Sequence, residues 1–297
     1  MLEFSSFPCS SVPFRGEKDI MPKPPRFFIS PEQVSGQSIT ISGEDVHHIV
    51  KVLRMKTGEE LLLCDGKGAE YSAKIARINK SDITAEVKAR SSREIRYPLI
   101  TLGQGLPKSD KMDWIVQKAT ELGVATIVPL VTERTIVKVR DEGKRVARWQ
   151  RIAREAAMQS NRLDIPNVQH ICTYADFLKS ITNPPSPPFV KGGSSKNPPL
   201  EKGEEGGFSS PDTLLLLPWE DGTVPIKGIL RANPGMKNII VLIGPEGGFS
   251  AHEAEAAQGK GFHLVSLGPN ILRTETAAIA ALSMIGYEFF DGPQAAV

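Results

Sequence analysis

Two glycine-punctuated segments near the C-terminus carry the residues best suited to do chemistry. The first, Ile243-Gly244-Pro245-Glu246-Gly247-Gly248-Phe249, follows the apolar run Ile239-Ile240-Val241-Leu242. The second, Leu267-Gly268-Pro269-Asn270-Ile271-Leu272-Arg273-Thr274-Glu275-Thr276, follows Phe262-His263-Leu264-Val265-Ser266. Each reads as a short buried strand, a loop and then a helix, and Ser250 with Glu253 has the capping-box spacing that starts the first of those helices. In open α/β sheets, ligands bind where such loops meet at the carboxyl ends of strands. Glycines let main chain come close to a ligand. Glu246 and Arg273 add one charge of each sign, able to orient a substrate or steady charge that develops on it. No Gly-Lys-Ser/Thr follows the first loop, and the Gly103-x-Gly105 pair has Lys108 where a third glycine would stand, so neither common phosphate-binding fingerprint is present. Pro218, closing the run Leu214 to Leu217, places a third strand end nearby.

Other cationic residues are more ambiguous. Arg145, Arg148, Arg151 and Arg154 recur every third residue and read as a solvated helix face. Arg162 ends the polar cluster Gln159-Ser160-Asn161-Arg162, where its planar guanidinium could grip a phosphate or a base edge through two hydrogen bonds. Arg26, Lys51, Arg54 and Lys56 crowd the first ordered elements and could meet a nucleic-acid backbone. His47 and His48 lack carboxylate or cysteine neighbours at useful spacing. The three cysteines, Cys9, Cys64 and Cys172, have no ligand spacing either, so no metal is expected.

These side chains must be positioned by two kinds of element. Residues 26–97 read mostly as short strands, including Ser38–Ile41, Glu60–Cys64, Glu70–Ile75 and Ile83–Val87, with Asp65-Gly66-Lys67-Gly68 as a hairpin turn. One helix interrupts them, with Ser42 as its N-cap and Val46, Ile49, Val50 and Leu53 at helical spacing. A small β-barrel results. From residue 99 the period changes. A strand over 99–104 precedes a helix from Asp110 to Leu122 that ends at Gly123. A strand over 126–130 and a helix over 142–159, with Val146, Trp149, Ile152 and Ala156 on one face, come next. Alternating strands and helices imply a mostly parallel sheet. Residues 1–22 read as a disordered extension. Residues 183–211 read as a flexible insertion whose Pro/Gly/Ser/Lys/Glu composition cannot bury a core. Met21 is an alternative start.

Bulk composition sets outer limits. At 297 residues, with 40% hydrophobic and 24% charged residues, the chain has room for two cored domains of ordinary soluble type. No apolar run approaches the ~20 residues that cross a bilayer, and a reduced, cytoplasmic setting fits the cysteine usage. The net charge of +2 conceals an asymmetry. Lys/Arg exceed Asp/Glu by 13 to 10 over residues 21–100 and by 13 to 9 over 101–182, but fall short, 8 to 12, over 183–297. A nucleic-acid-facing surface is thus compatible with the earlier two thirds.

The ordered set of motifs resembles one family over residues 26–290, the insertion apart. Leu-Ile-Gly-Pro-Glu-Gly-Gly-Phe-Ser at 242–250 and Leu-Gly-x-x-Ile-Leu-Arg-Thr-Glu-Thr-Ala-Ala at 267–278 are joined by Gln117–Val124, Glu133-Arg134 and Gln159–Arg162. Together they are similar to the SPOUT-class bacterial small-subunit (16S) rRNA uridine-N3 methyltransferases, RsmE-like enzymes. The resemblance implies an N-terminal PUA-like RNA-binding barrel over 23–95. A SPOUT α/β domain over 98–291 would follow, its C-terminus forming a deep trefoil knot, a rare topology. It implies bound S-adenosyl-L-methionine (SAM), held by Leu217, Pro218, Ile243, Gly244, Pro245, Gly247, Gly248, Leu267, Gly268, Ile271, Leu272 and Thr274. It further implies methyl transfer to N3 of one uridine of 16S rRNA in the small ribosomal subunit, and a homodimer with no membrane association. Arg273, then Arg162, are the candidates for steadying charge on the uracil. Glu246 would orient Arg273 or the substrate, or assist proton removal. Arg26, Lys51, Arg54, Arg134 and Arg162 are the candidate RNA contacts. Ribose 2′-O or guanine-N1 methylation, and a non-catalytic RNA-binding role, remain as alternatives.

Overall fold

The structure is a computed structural model that describes residues 24–92, 98–137, 141–181 and 212–290. The expected extension at 1–22 and insertion at 183–211 lie outside the described residues.

Strands β1 (Arg26–Phe28), β2 (Val34–Ser35), β3 (Ser38–Ser42), β4 (Glu60–Cys64), β5 (Ala69–Ile78) and β6 (Asp82–Ser92) form one sheet in the order β1-β4-β5-β6-β3-β2. Every pairing is antiparallel except β1 with β4. Strand alternation sends Ile39, Ile41, Leu61, Leu63, Ala73, Ile75, Ile83 and Ala85 into one core. The β4–β5 turn forms as its sequence predicts: Asp65 Oδ1 accepts from the N–H groups of Lys67 at 2.8 Å and Ala69 at 2.9 Å.

The intervening helix departs from expectation. Ser42 is the last residue of β3, and Gly43, at φ 78°, makes the turn into α1 (Glu44–His47). A positive φ is strained for serine and free for glycine. The chain then widens into a π-turn over His48–Val52, with the Leu53 N–H donating to the His48 carbonyl. Widening breaks the 3.6-residue register. Val46 and Ile49 stay buried, but Leu53 is left exposed. His48 stacks edge-on against Phe27, a packing role.

The second unit alternates as predicted. Its elements are β7 (Leu99–Gly105), α2 (Lys111–Glu121), β8 (Thr126–Val131), α3 (Glu142–Gln159), β9 (Asn167–Val168), β10 (Cys172–Thr173), α4 (Tyr174–Ser180), β11 (Thr213–Pro218), β12 (Val224–Pro225), α5 (Ile226–Ala232), β13 (Asn238–Ile243), α6 (Ala251–Gly259), β14 (His263–Ser266) and α7 (Thr274–Phe289). The sheet order is β10-β8-β7-β13-β11-β14-β12, with β9 beside β8, and every pairing is parallel. Both faces are covered. Leu214 and Leu216 face a layer containing α2, α3, α5 and α7. Leu215 and Leu217 face a layer containing α4 and α6. The late strand β13 inserts between β7 and β11, so the strand order reverses there, and the carboxyl ends of β11, β13 and β14 lie side by side.

The two units share a dry junction of Phe28, Cys64, Ala157 and Leu163. Arginines fasten it. Arg26 donates to the Asn161 carbonyl at 2.7 Å and pairs with Glu70 at 2.5 Å. Arg154 donates to the Phe28 carbonyl at 2.7 Å and pairs with Asp45 at 2.9 Å.

Candidate active site

Three strand-end loops enclose one cleft: Pro218 to Glu220 after β11, Ile243 to Phe249 after β13, and Ser266 to Leu272 after β14, with Thr274 and Ala277 of α7 behind them. Its volume is about 230 Å³. Pro218, Ile243, Gly244, Pro245, Gly247, Gly248, Leu267, Gly268, Ile271, Leu272 and Thr274 all line it. Leu217 does not. Its side chain is fully buried on the opposite face, in the core shared with α4 and α6. Trp219 and Glu220, just beyond Pro218, take that part of the wall and were not anticipated. The Pro-Trp-Glu-Asp-Gly run that closes the apolar stretch was the available signal.

Close backbone approach explains the glycines. A Cβ on Gly244 would sit 2.8 Å from the Gly248 carbonyl carbon, so only glycine lets the loop fold back on itself. A Cβ on Gly105 would sit 2.6 Å from Pro245 Cδ. The Gly103-x-Gly105 pair therefore serves strand-to-loop packing. The cleft wall combines the backbone of this loop with Ile243, Leu267 and Leu272.

Glu246 is a fixed anion. Its carboxylate accepts from the Lys108 N–H at 3.0 Å and lies 3.2 Å from Lys111 Nζ, which is also 3.2 Å from Glu275 Oε2. Burial pushes its carboxyl up, but its own backbone N–H, that of Lys108 and the Lys111 ammonium outweigh this and hold it below the usual carboxylate value. The hydrogen bond to Glu246, with the contacts to Glu275, holds the Lys111 ammonium above the usual lysine value. Of the roles open to Glu246, orienting Arg273 has no contact behind it; its carboxylate instead joins a Glu246–Lys111–Glu275 bridge. Such a carboxylate is a weak base.

Arg273 stands at the N-cap of α7, between the lining residues Leu272 and Thr274. Its side chain is exposed, with no hydrogen-bond or ion-pair partner among the described residues. The other arginine candidates are engaged within the chain. Arg162 Nη1 donates to the carbonyls of Thr120 and Val124, both at 2.8 Å, and its Nη2 pairs with Asp164. It is nearly buried and lies outside the cleft, so the structure does not bring it to Arg273 and Glu246. Arg26 is likewise a strut rather than an open contact. Arg134 donates to the Gly247 carbonyl at 2.7 Å and braces the loop from outside. Lys51 and Arg54 remain exposed on the π-turn side. Of the arginine stripe, Arg148 pairs with Asp113 and Arg145 lies over the Trp149 ring. Among the described residues no group of three metal-ligating side chains occurs, and no helix is long and apolar enough to cross a membrane.

Residues 94–286 match the RNA methyltransferase domain family, and residues 41–88 match the RNA methyltransferase PUA domain. The ribosomal RNA small subunit methyltransferase E of Bacillus subtilis is 32% identical, over 89% of this chain and 96% of its own length. That of Synechocystis is 31% identical, over 88% and 76%. The crystal structure of the Neisseria gonorrhoeae protein of the same name, bound to S-adenosyl methionine, superposes with a TM-score of 0.71 at 32% identity, covering 89% of this chain and 97% of that one.

Proposed function

This chain belongs to the RNA methyltransferase family, and on that premise we propose that it methylates N3 of one uridine in 16S rRNA of the small ribosomal subunit, using S-adenosylmethionine. The observation that carries the reading is the cleft of three strand-end loops with a solvent-facing arginine at its rim. The residues fit the cofactor: the Gly244 fold-back that a Cβ would fill presents main chain, and Ile243, Leu267 and Leu272 supply apolar walls for an adenine. When bound, the cofactor supplies an electrophilic methyl on sulfonium sulfur.

What remains for the protein is the acceptor. Uracil N3 carries a weakly acidic proton that passes to water; the anion shares its charge with the ring oxygens, and that charge is spent as N3 takes the methyl and S-adenosylhomocysteine departs. Arg273 takes the role of meeting that charge, because it is the unengaged guanidinium beside the cleft. Glu246 anchors its loop through Lys111 and Lys108 and is not the base. The target base must leave its stack to enter the cleft. Lys51 and Arg54 serve as backbone contacts of the N-terminal unit, holding the surrounding RNA. The exposed apolar side chains Met284 and Tyr287 on α7 support a homodimer through that helix. A trefoil knot through the loops around β11, β13 and β14 and a cytoplasmic setting complete the reading. Incubation with labelled SAM and unmethylated small subunits, followed by mapping, tests it. The expected product is one 3-methyluridine; no incorporation, or label on ribose, overturns the assignment.

A further inference from the structure

Among the buried polar side chains, Gln104 is the one placed to act on the cleft without touching it. It is the last residue but one of β7, paired in register with Ile243, and is fully buried. Its Nε2 donates to Thr274 Oγ1 at 3.0 Å and to the Gly105 carbonyl at 2.9 Å, with a long contact of 3.5 Å to the Gly244 carbonyl. Thr274 Oγ1 in turn donates to the Gly244 carbonyl at 2.5 Å. Three segments far apart in sequence, the end of β7, the loop after β13 and the first turn of α7, are tied by this chain of polar atoms. Gly244 and Thr274 line the cleft and Gln104 does not.

The same side chain carries a defect. Gln104 Oε1 is buried and has no hydrogen-bond partner among the described residues. An orphaned buried carbonyl costs stability, and an apolar side chain of the same size would avoid it. The amide is therefore a poor choice for holding the sheet together and a good one for fixing Thr274. With its acceptor lone pair occupied by Gln104, the Thr274 hydroxyl is turned to put its proton on Gly244, which sets the spacing of two cleft walls.

We propose that Gln104 is a positioning residue of the cofactor cleft, acting through Thr274 to hold the Gly244 loop and the start of α7 in the arrangement that binds SAM. This rests on SAM being the ligand, as proposed above. Gln104→Met removes the orphan but also takes a donor from the Gly105 carbonyl and from Thr274 Oγ1, so the two effects offset in part and the melting temperature of the protein without ligand falls only slightly. SAM affinity falls about tenfold, the equivalent of one net hydrogen bond. Gln104→Asn keeps an amide but is one methylene too short to reach Thr274, so it is expected to lose as much and keeps the test open should the Met variant not fold. Because Gln104 and Thr274 act as one unit, the Gln104→Met/Thr274→Val double variant binds no more weakly than the worse single one.

The measurement is isothermal titration of SAM into each folded protein, with melting temperatures taken alongside. Wild-type affinity in both Gln104 variants overturns the proposal, as do full additivity in the double variant or a loss of stability that accounts for the loss of affinity. Failure of the wild-type protein to bind SAM overturns the functional reading instead, so the two failures are distinguishable.

Discussion

Arg273 and Arg162 have the same side chain, yet the structure places them in opposite environments. Arg273 is exposed at a helix N-cap with no partner among the described residues. Arg162 Nη1 donates to the carbonyls of Thr120, at the end of α2, and of Val124, just beyond it. Truncating Arg273 to Ala should therefore cost turnover. Loss of one preorganised donor to developing charge is worth roughly 10²–10³ in kcat, and SAM affinity should stay within about threefold of wild type. Single-turnover methylation with titration of SAM checks this, and a variant with near-normal turnover removes Arg273 from the mechanism. Arg162→Ala should show the reverse pattern. It removes the Arg162 donors from the carbonyls of Thr120 and Val124, so it should lose about 1–3 kcal/mol of stability, seen as a lower melting temperature, with turnover per folded molecule largely kept. Sequence could nominate both arginines but could not separate them. The separation depends on carbonyls about forty residues away in the chain.

At the scale of elements, the strand-loop-helix units were legible because their signals are local: an apolar run, glycines, then a capping pattern. Leu217 shows where that legibility stops. β11 is buried on both faces, so its run of leucines has no polar alternation to say which side chains reach the cleft. The Lys111 bridge was invisible for a different reason, since α2, the loop after β13 and α7 meet only in three dimensions. That bridge has a pH signature. Glu246 is held below its ordinary value, so its contribution is complete above that value and is lost only as pH falls through the lower, folded one. Lys111 is held above its ordinary value, so its contribution is complete below that value and is lost only as pH rises through the higher, folded one. The bridge's contribution to stability should consequently be flat from the ordinary carboxylate range to the ordinary lysine range. In Lys111→Met, two carboxylates face each other without a cation, and the acid-side limb should move to higher pH. Denaturant titrations across pH with both proteins decide it; superimposable profiles would mean that the bridge does not govern the loop.

For the whole molecule, the question is why an RNA-holding unit and a catalytic unit should be locked together instead of joined by a loose tether. Catalysis by positioning requires that the base delivered to the cleft and the RNA held outside it share one frame. The junction supplies that frame, through the dry contact of Phe28, Cys64, Ala157 and Leu163 and the Arg26 and Arg154 struts. None of the strut residues lines the cleft. A double variant, Arg26→Met with Arg154→Met, keeps the aliphatic stems but removes the two arginines' hydrogen bonds across the junction. SAM affinity should hold within about twofold, because nothing around the cleft changes. Methylation of small subunits should lose at least about tenfold in kcat/KM, because the orientation of two parts, once free to vary, costs rate steeply. Equal kcat/KM in variant and wild type would show that RNA binding itself orients the two units, and the junction would then be a matter of stability alone.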